Sequence, residues 1–419
     1  MPTGARPHVT RLSVALELEG ETVPVGTLAW SERDRVAAFQ ADPGFAARGL
    51  NPSPFHLPLH DGLVMGSPAP FDGLHEVFAD SLPDGWGKLV VDRSVASRGG
   101  DSRALSPLDR LAFVGRRGMG ALTYVPERLL GDDPGAADLD WFARQARALE
   151  AGRAAAGVDA LLRANGGSAG ARPKVLVLRD RETGALRADS GQVALPAEDA
   201  WLVKLPSRVD GKDGGRVEYA YALMAAAAGI DMPETMLLPG QRGTTFFAVL
   251  RFDRGSGGRT HVHTLAGLLH VDFRVPSLDY TDLLKVARLL TRDAAHVEQA
   301  YRRMVFNVLA GNRDDHAKNH AFTMGLDGMW RLSPAYDLTP SEGLGGQHNL
   351  AVAGEGRAPG PVQFAGVAAR ASLGRATAVR IEGAVRDALR RWPEWAEQAG
   401  LGRGRVAAVR GLWGRALGR

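Results

Sequence analysis

Residues 304–324 read M-V-F-N-V-L-A-G-N-R-D-D-H-A-K-N-H-A-F-T-M, and after a short Gly-containing turn residues 329–342 read M-W-R-L-S-P-A-Y-D-L-T-P-S-E. An apolar run at helical spacing ends at Gly311, and apolar residues return directly after position 320. Within 312–320 every residue except Ala317 can carry a charge, form a hydrogen bond or coordinate a cation. A polar cluster of this kind at the end of an apolar element indicates a site rather than ordinary surface.

The spacing inside this stretch matches the needs of phosphoryl transfer. That reaction requires a carboxylate to accept or orient the proton of the attacking hydroxyl, and an amide oxygen and a second carboxylate to hold Mg²⁺ against nucleotide phosphates. Asp314 and Asn319 form the D-x-x-x-x-N pattern of a kinase catalytic loop, and Asp337 in Y-D-L takes the place of D-F-G. D-x-x-x-x-N arises often by chance, so the surrounding sequence must support it.

Composition limits the class of protein. A chain of 419 residues with 45% hydrophobic and 23% charged residues predicts a soluble globular protein of two domains. The absence of cysteine excludes disulfides, zinc-thiolate sites and thiol catalysis. The apolar stretch 219–230 is too short to span a bilayer, and the N-terminus has no signal pattern, so we expect a cytoplasmic protein without membrane contact.

Net charge is only +4, but arginines crowd the C-terminal end, at Arg403, Arg405, Arg410, Arg415 and Arg419. We favour a solvated helix face as the interpretation. Contact with a nucleic-acid backbone is the alternative.

The N-terminal part alternates strand and helix patterns. Period-two alternation at 12–18 and the run 23–28 predict a hairpin, and 56–59 predicts a further short strand. Later elements are a loop and helix over 78–95, a helix at 108–114, a strand at 121–125 and helices at 138–152 and 157–163.

A small-residue loop at 165–174 precedes a strand at 175–178. Such a loop lets backbone N–H groups approach phosphates, although most such loops bind nothing and this one is not a Walker A motif. Lys204 is the one cation in the strand 200–205. A Lys in a buried strand is costly unless it is paired or used. A Lys on the solvent face of an edge strand is the equal alternative.

The chain becomes helical after a Gly/Ser turn at 255–258. A helix at 218–229 and a strand at 245–252 precede the turn, and helices are predicted after it at 279–291, 294–310, 367–391 and 405–417. We therefore expect an α/β N-terminal part and a mainly α-helical C-terminal domain. The predicted division is a β-rich subdomain at 1–130, an α/β nucleotide-loop subdomain at 131–258 and a helical catalytic domain at 259–419.

Five segments of the sequence resemble motifs of the HipA family of toxin serine/threonine kinases, and the resemblance extends over nearly the whole chain. Residues 78–88 look like F-x-x-L-L-P-E-G, and 168–174 look like the nucleotide-loop motif A-G-x-x-x-K. Residues 251–254 are R-F-D-R, 312–319 are N-x-D-x-H-x-K-N, and 333–338 contain P-x-Y-D. The resemblance implies a two-lobed, protein-kinase-like fold related to phosphatidylinositol 3/4-kinases.

The resemblance also implies a role for each matched residue. Asp314 would be the catalytic base, Asn319 and Asp337 would hold Mg²⁺, and Lys204 would contact the α- and β-phosphates of ATP. The phosphates would be lined by Ala169, Gly170, Ala171, Arg172, Pro173 and Lys174. Leu250, Arg251 and Phe252 would lie on the adenine side, and His316, Lys318 and Tyr336 beside the nucleotide. For His316 and Lys318 a role as structural anchors stays open.

Two departures from the family pattern affect these roles. Leu250 replaces the Glu that often precedes R-F-D-R, which removes one side-chain acceptor. Gly167 aligns with the serine that some members phosphorylate in their own nucleotide loop, so autophosphorylation of the next residue, Ser168, is a hypothesis.

The resemblance implies a toxin that phosphorylates a cytosolic protein, with an aminoacyl-tRNA synthetase as a candidate, and a HipB-like DNA-binding antitoxin as partner. A kinase-shaped co-repressor that contacts DNA through the antitoxin complex is the alternative. A metal-dependent hydrolase using Asp314, Asp315 and His316 with His320 or His263 is a third hypothesis, which the upstream Lys204 strand disfavours.

Overall fold

The computed structural model describes residues 8–60, 62–128, 135–153, 156–167, 170–191, 194–207, 211–255 and 258–416. The strands in these ranges are β1 (Arg11–Leu18), β2 (Glu21–Ser31), β3 (Val36–Ala41), β4 (Leu63–Met65), β5 (Leu122–Val125), β6 (Lys174–Asp180), β7 (Leu186–Ala188), β8 (Glu198–Lys204), β9 (Thr235–Pro239), β10 (Thr245–Leu250), β11 (Arg254–Gly255), β12 (Gly258–Arg259), β13 (His261–Thr264), β14 (Leu278–Asp279), β15 (Ala321–Met324), β16 (Trp330–Leu332) and β17 (Leu350–Ala351).

The helices in the same ranges are α1 (Glu76–Ala79), α2 (Gly85–Ala96), α3 (Pro107–Val114), α4 (Leu139–Glu150), α5 (Val158–Asn165), α6 (Gly214–Ala227), α7 (Leu265–Leu268), α8 (Tyr280–Thr291), α9 (Ala294–Leu309), α10 (Pro361–Arg370), α11 (Arg375–Arg390), α12 (Trp392–Gln398) and α13 (Arg403–Ala416). None of the helices in the described part of the chain combines the length and the apolar character that crossing a membrane requires.

The chain forms two compact units. The first unit consists of Met1–Lys212, Leu238–His263 and Met324–Gly328. The second consists of Asp213–Leu237, Thr264–Thr323 and Met329–Arg419. Both units are assembled from separate stretches of the chain. The division into three consecutive segments stays a prediction.

The first sheet of unit 1 has the strand order β4-β3-β2-β1-β5. Leu12, Val14, Leu16 and Leu18 of β1 are buried, and the residues between them are more exposed, as alternation on a one-sided sheet requires. β1 and β2 pair antiparallel, with Leu18 opposite Glu21. The predicted hairpin is confirmed.

The second sheet has the order β7-β6-β8-β10-β9. β8 therefore lies in the interior of the sheet, and the alternative that Lys204 occupies an edge strand is wrong. Lys204 is opposite Lys174 of β6 on one side and Phe247 of β10 on the other. Directly opposed residues of antiparallel strands project from the same face, so the two lysines share one face of the sheet.

The centre of unit 2 is α9. All residues from 300 to 309 are buried, as is typical of a helix that is covered on every side. Asp293 begins the helix by accepting a hydrogen bond from the Ala295 N–H, and Gly311 follows its end at φ +68°. The predicted helix at 294–310 is confirmed.

Two predicted elements are wrong. Residues 56–59 form no strand, because Pro54 and Pro58 cannot donate the hydrogen bonds of a ladder. The helix predicted over 367–391 is two helices, α10 and α11. The break contains Ser372 at φ +51° and Gly374, the residue before α11, which supply the non-helical conformations that local periodicity does not reveal.

A buried charge cluster anchors the end of β10 in unit 1. Arg251 donates from Nε to Asp253 Oδ1 at 3.0 Å and from Nη2 to the Gly118 carbonyl at 3.1 Å. Arg254 donates to Asp253 Oδ2 at 2.7 Å, and the Gly120 N–H donates to the same oxygen at 2.7 Å. Burial acts to raise the pKa of Asp253, but Arg251 and Arg254 outweigh it, so the pKa lies well below its usual range.

Asp253→Asn should lower the free energy of unfolding by about 3–5 kcal/mol, because it leaves buried cations without their partner. The difference should shrink as pH falls below ~3.9, since the folded-state pKa is depressed and the contribution of the carboxylate is lost in that direction. Urea unfolding at several pH values measures both. Asp387→Asn, which removes an exposed partner of Arg390, is the control and should leave the midpoint unchanged. Equal effects of the two substitutions would contradict the prediction.

Candidate active site

The loop after α9 places two adjacent aspartates in opposite environments. The Asp314 side chain is 58% exposed, whereas Asp315 is 1% exposed. Asn312 is buried as well, and its N–H donates to the carbonyl of Asn307 in the last turn of α9 at 2.9 Å. The loop therefore presents Asp314 to solvent from a backbone that is held from below. That is the arrangement a residue needs if it is to meet a substrate hydroxyl.

Asn319 is tied to the same loop. Its Nδ2 donates to the Asp314 carbonyl at 2.8 Å, and its backbone N–H donates to the His316 carbonyl at 2.8 Å. With the amide nitrogen used in this way, the Oδ1 oxygen is the group that can take a cation. The D-x-x-x-x-N spacing thus corresponds to a direct bond between the two residues that carry the pattern.

Asp337 follows a segment that is bound to the loop. The Tyr336 hydroxyl donates to the Lys318 carbonyl at 2.7 Å, which joins the neighbours of Asp337 and Asn319 by one hydrogen bond. Asp337 has φ +58°, a left-handed conformation that Asp tolerates better than most residues. Amide and carboxylate oxygens are hard donors, and Mg²⁺ takes one or two such protein ligands together with phosphate oxygens. The side chains of Asn319 and Asp337 offer oxygens of these two types.

His316 and Lys318 both lie against Phe273. The Lys318 ammonium is 4.8 Å from the centroid of the Phe273 ring, and the His316 ring centroid is 5.2 Å from it. His316 Nε2 is 4.0 Å from Asp314 Oδ1. These contacts favour the anchoring role that the sequence left open.

The small-residue loop of unit 1 is bound to the segment 78–88. Asp84 accepts a hydrogen bond from the Gly170 N–H, and the Trp86 N–H donates to the Gly170 carbonyl at 3.1 Å. A Cβ on Gly85 would lie 2.7 Å from the Cα of Ala171, so only Gly fits this approach. In the sequence the segments 78–88 and 165–174 are two separate motifs. Gly85 of the L-P-D-G sequence was the one signal of this contact, because a glycine often marks a place where another backbone segment approaches closely.

Lys174 and Lys204 are the cations beside this loop. A Cβ on Gly170 would lie 2.6 Å from Lys174 Nζ, so the Lys174 side chain lies against the loop. Lys174 is buried there, with an exposed fraction of 3%. Lys204 is opposite Lys174 in the sheet. The Lys174 and Lys204 side chains therefore project from one face of the sheet, next to a loop of small residues.

The remaining nucleotide-loop predictions fall in different places. Arg172 and Pro173 precede β6, and Leu250 ends β10 opposite Trp201 of β8. The Arg251 side chain belongs to the buried charge cluster, and its backbone N–H donates to the Ala200 carbonyl, so only other groups of the segment 250–252 can face a ligand. Ser168 and Ala169 lie outside the described residues.

The proposed hydrolase centre does not form. Among the described residues, groups of three or more His, Asp or Glu that could hold a metal ion do not occur. Asp315 is engaged with Tyr280 and His348 at 2.7 and 2.8 Å. Burial lowers the pKa of His320 to about 3, so this imidazole stays neutral at physiological pH.

Comparison with known proteins identifies the family. The model of the HipA-like C-terminal domain matches residues 166–395, and the model of the HipA N-terminal domain matches residues 17–125. The chain belongs to the HipA family. Its HipA-like C-terminal domain contains both the loop after α9 and the lysines of β6 and β8, and its HipA N-terminal domain contains the segment 78–88.

Two relatives extend the comparison. A Sinorhizobium fredii protein, Y4dM, whose name describes it as a candidate kinase, is 34% identical over 166 residues, which is 35% of this chain and 40% of the relative. A chain of the Shewanella oneidensis MR-1 toxin-antitoxin complex of HipA, HipB and operator DNA has a TM-score of 0.70 at 17% identity, covering 97% of this chain and 96% of that one. The second likeness shows a HipA-like fold.

Gly85→Ala should displace the small-residue loop, because the new methyl group would occupy the space of Ala171. Gly99→Ala is the control, since Gly99 also has a positive φ, of +76°, but a Cβ there meets nothing within 4 Å. Both variants should lose ~1–2 kcal/mol from backbone strain. Only Gly85→Ala should lose more and accelerate amide hydrogen exchange over residues 170–174. Identical behaviour of the two variants would refute the contact.

Proposed function

We propose that this HipA-family chain is a serine/threonine protein kinase that uses ATP and Mg²⁺, and that it is the toxin of a HipA/HipB-type pair. The observation that carries the proposal is the bonded loop of unit 2. There Asn319 donates to the Asp314 carbonyl, and Tyr336 joins the segment of Asp337 to the Lys318 carbonyl. A base and two oxygen ligands for Mg²⁺ are thus supplied by one hydrogen-bonded assembly.

Each residue has a defined part in this reaction. ATP with Mg²⁺, when bound, supplies the phosphoryl group and neutralises its charge. Asp314 accepts the hydrogen of the serine or threonine hydroxyl and orients its oxygen for attack. Asn319 Oδ1 and the Asp337 carboxylate would hold the cation. Lys174 and Lys204 would contact the phosphates, and Leu250 and Phe252 would lie on the adenine side.

The use of lysine in the sequence supports these assignments. The chain contains 51 Lys and Arg residues, and lysine occurs at only six positions, Lys88, Lys174, Lys204, Lys212, Lys285 and Lys318. Three of the six, Lys174, Lys204 and Lys318, are residues to which the family resemblance assigns a place beside the nucleotide. In a chain that otherwise uses arginine as its cation, lysine at these places is explained by a need for a compact point charge on a flexible stem.

A binding role with an antitoxin is the second candidate function. We propose a HipB-like DNA-binding partner, because the family resemblance implies it. The arginines Arg403, Arg405 and Arg410 of α13 are exposed, whereas Val409 and Trp413 of the same helix are buried. These cations are available to an acidic partner or to a nucleic-acid backbone. The proposed substrate is a cytosolic protein, with an aminoacyl-tRNA synthetase as the candidate.

Asp314→Asn should lower kcat by a factor of about 10² to 10⁴, because it removes the group that accepts the hydroxyl proton. The measurement is transfer of labelled γ-phosphate to proteins of a lysate at several Mg²⁺ concentrations. Asp387→Asn, on exposed surface of the same unit, should retain full activity. If the protein acts only by binding, the wild-type chain will transfer no phosphate. Full activity of the Asp314→Asn variant would refute the assignment of Asp314 as the base.

Lys204→Gln should weaken binding of a fluorescent ATP analogue about tenfold or more, because a charge-assisted hydrogen bond contributes ~1.5–3 kcal/mol. Lys174→Gln should act in the same direction. The matched control is Lys212→Gln, an exposed lysine of the same unit. Binding is measured with and without Mg²⁺, so that the result does not depend on finding the substrate. Equal affinity of the Lys204 and Lys212 variants would contradict the role of Lys204.

A further inference from the structure

Five buried or loop residues of unit 2 are joined by a chain of hydrogen bonds that returns to where it starts. The Asp314 N–H donates to Asn312 Oδ1 at 3.3 Å, and Asn312 Nδ2 donates to Asn307 Oδ1 at 3.0 Å. Asn307 Nδ2 donates to the Tyr280 hydroxyl at 2.8 Å. The Tyr280 hydroxyl donates to Asp315 Oδ2 at 2.7 Å. Because Asp315 follows Asp314, the chain closes into a ring, which we call the loop ring.

The donors of the loop ring all run in one direction. Both asparagines accept at Oδ1 and donate from Nδ2, and the tyrosine hydroxyl accepts once and donates once. The series of hydrogen bonds ends at the Asp315 carboxylate, which can only accept hydrogen bonds when it is ionised. Tyr280 is fully buried, and Asn307, Asn312 and Asp315 are each 1% exposed, so water does not replace these partners easily.

Further donors hold the carboxylate at which the ring ends. His348 Nδ1 is 2.8 Å from Asp315 Oδ2, and the Asn349 N–H donates to Asp315 Oδ1 at 2.8 Å. Asn349 Nδ2 donates to the Arg313 carbonyl at 3.0 Å. Burial acts to raise the pKa of Asp315, but His348 and Tyr280 outweigh it, so the pKa is below its ordinary value and the group stays ionised. Burial raises the pKa of Tyr280, which keeps its hydroxyl proton.

The Asp314 side chain has little of its own to hold it. It is largely exposed, and its Oδ1 is 4.0 Å from Nε2 of His316. Its position therefore depends on the backbone from 312 to 315, which belongs to no helix or strand. The loop ring adds buried side-chain hydrogen bonds to the backbone bonds of this segment, and it connects the segment to α8 and α9, which pack against each other.

We propose that Tyr280, Asn307 and Asp315 are positioning residues for Asp314. They touch no reacting atom, and they hold the backbone that aims the base at the acceptor hydroxyl. This inference rests on the proposed kinase function. Misplacement of a catalytic group by about 1 Å can cost a factor of ~10² in rate, so loss of one bond in the ring should reduce kcat without weakening nucleotide binding.

The test is Tyr280→Phe, compared with Tyr301→Phe. Tyr301 is also fully buried and also donates to a carboxylate, Glu382 Oε1 at 2.9 Å, but it makes no bond to the loop. Both variants should lose similar stability in urea. Tyr280→Phe alone should lower kcat about tenfold or more, with the KM for ATP changed by less than about twofold. It alone should accelerate amide hydrogen exchange over residues 312–319 in the nucleotide-free protein.

The two readouts separate failure of this inference from failure of the proposed function. Unchanged exchange in Tyr280→Phe, or an equal fall of kcat in Tyr301→Phe, overturns the positioning role. If the wild-type chain transfers no phosphate, the kinase proposal fails. Faster exchange in Tyr280→Phe would then show that the ring holds the loop and would overturn its part in catalysis.

Discussion

The buried carboxylate of Asp315 is the constraint on which the loop after α9 depends. An ionised carboxylate inside a protein must be surrounded by donors, because its desolvation otherwise costs several kcal/mol. Here the donors come from Tyr280 of α8 and from the segment 348–349, and Asn307 of α9 donates in turn to the Tyr280 hydroxyl. The hydrogen bonds to this buried carboxylate therefore hold the irregular backbone of the loop in one arrangement. In that arrangement the neighbouring residue, Asp314, is exposed to solvent.

Unit 1 contains two different arrangements of charged residues. At the end of β10, Asp253 is enclosed by two arginines and a backbone N–H, so its charge is neutralised within the protein. On β6 and β8 two lysines stand opposite each other beside a Gly-rich loop. The first arrangement stabilises the fold. The second brings two cations to one face of the sheet, next to a loop of small residues.

Much of the fold was accessible from the sequence because its signals are local. The hairpin of β1 and β2, the interior helix α9 and several of the longer strands and helices follow from periodicity and from glycines at their ends, whereas most of the short strands were not predicted. The break between α10 and α11 was missed, because Ser372 adopts a left-handed conformation that its residue type does not announce. The clamp of Gly85 on Ala171 was missed as well, since a contact across 86 positions leaves no periodic trace.

The sequence by itself determined the order of the elements, the family and the spacing of Asp314, Asn319 and Asp337, because periodicity, helix ends and motif spacing are properties of neighbouring residues. Only the tertiary structure decided which of two adjacent aspartates is exposed and which is buried. That choice depends on Tyr280 and His348, which lie 35 positions before and 33 positions after Asp315. Burial and partner choice are set by packing across such distances.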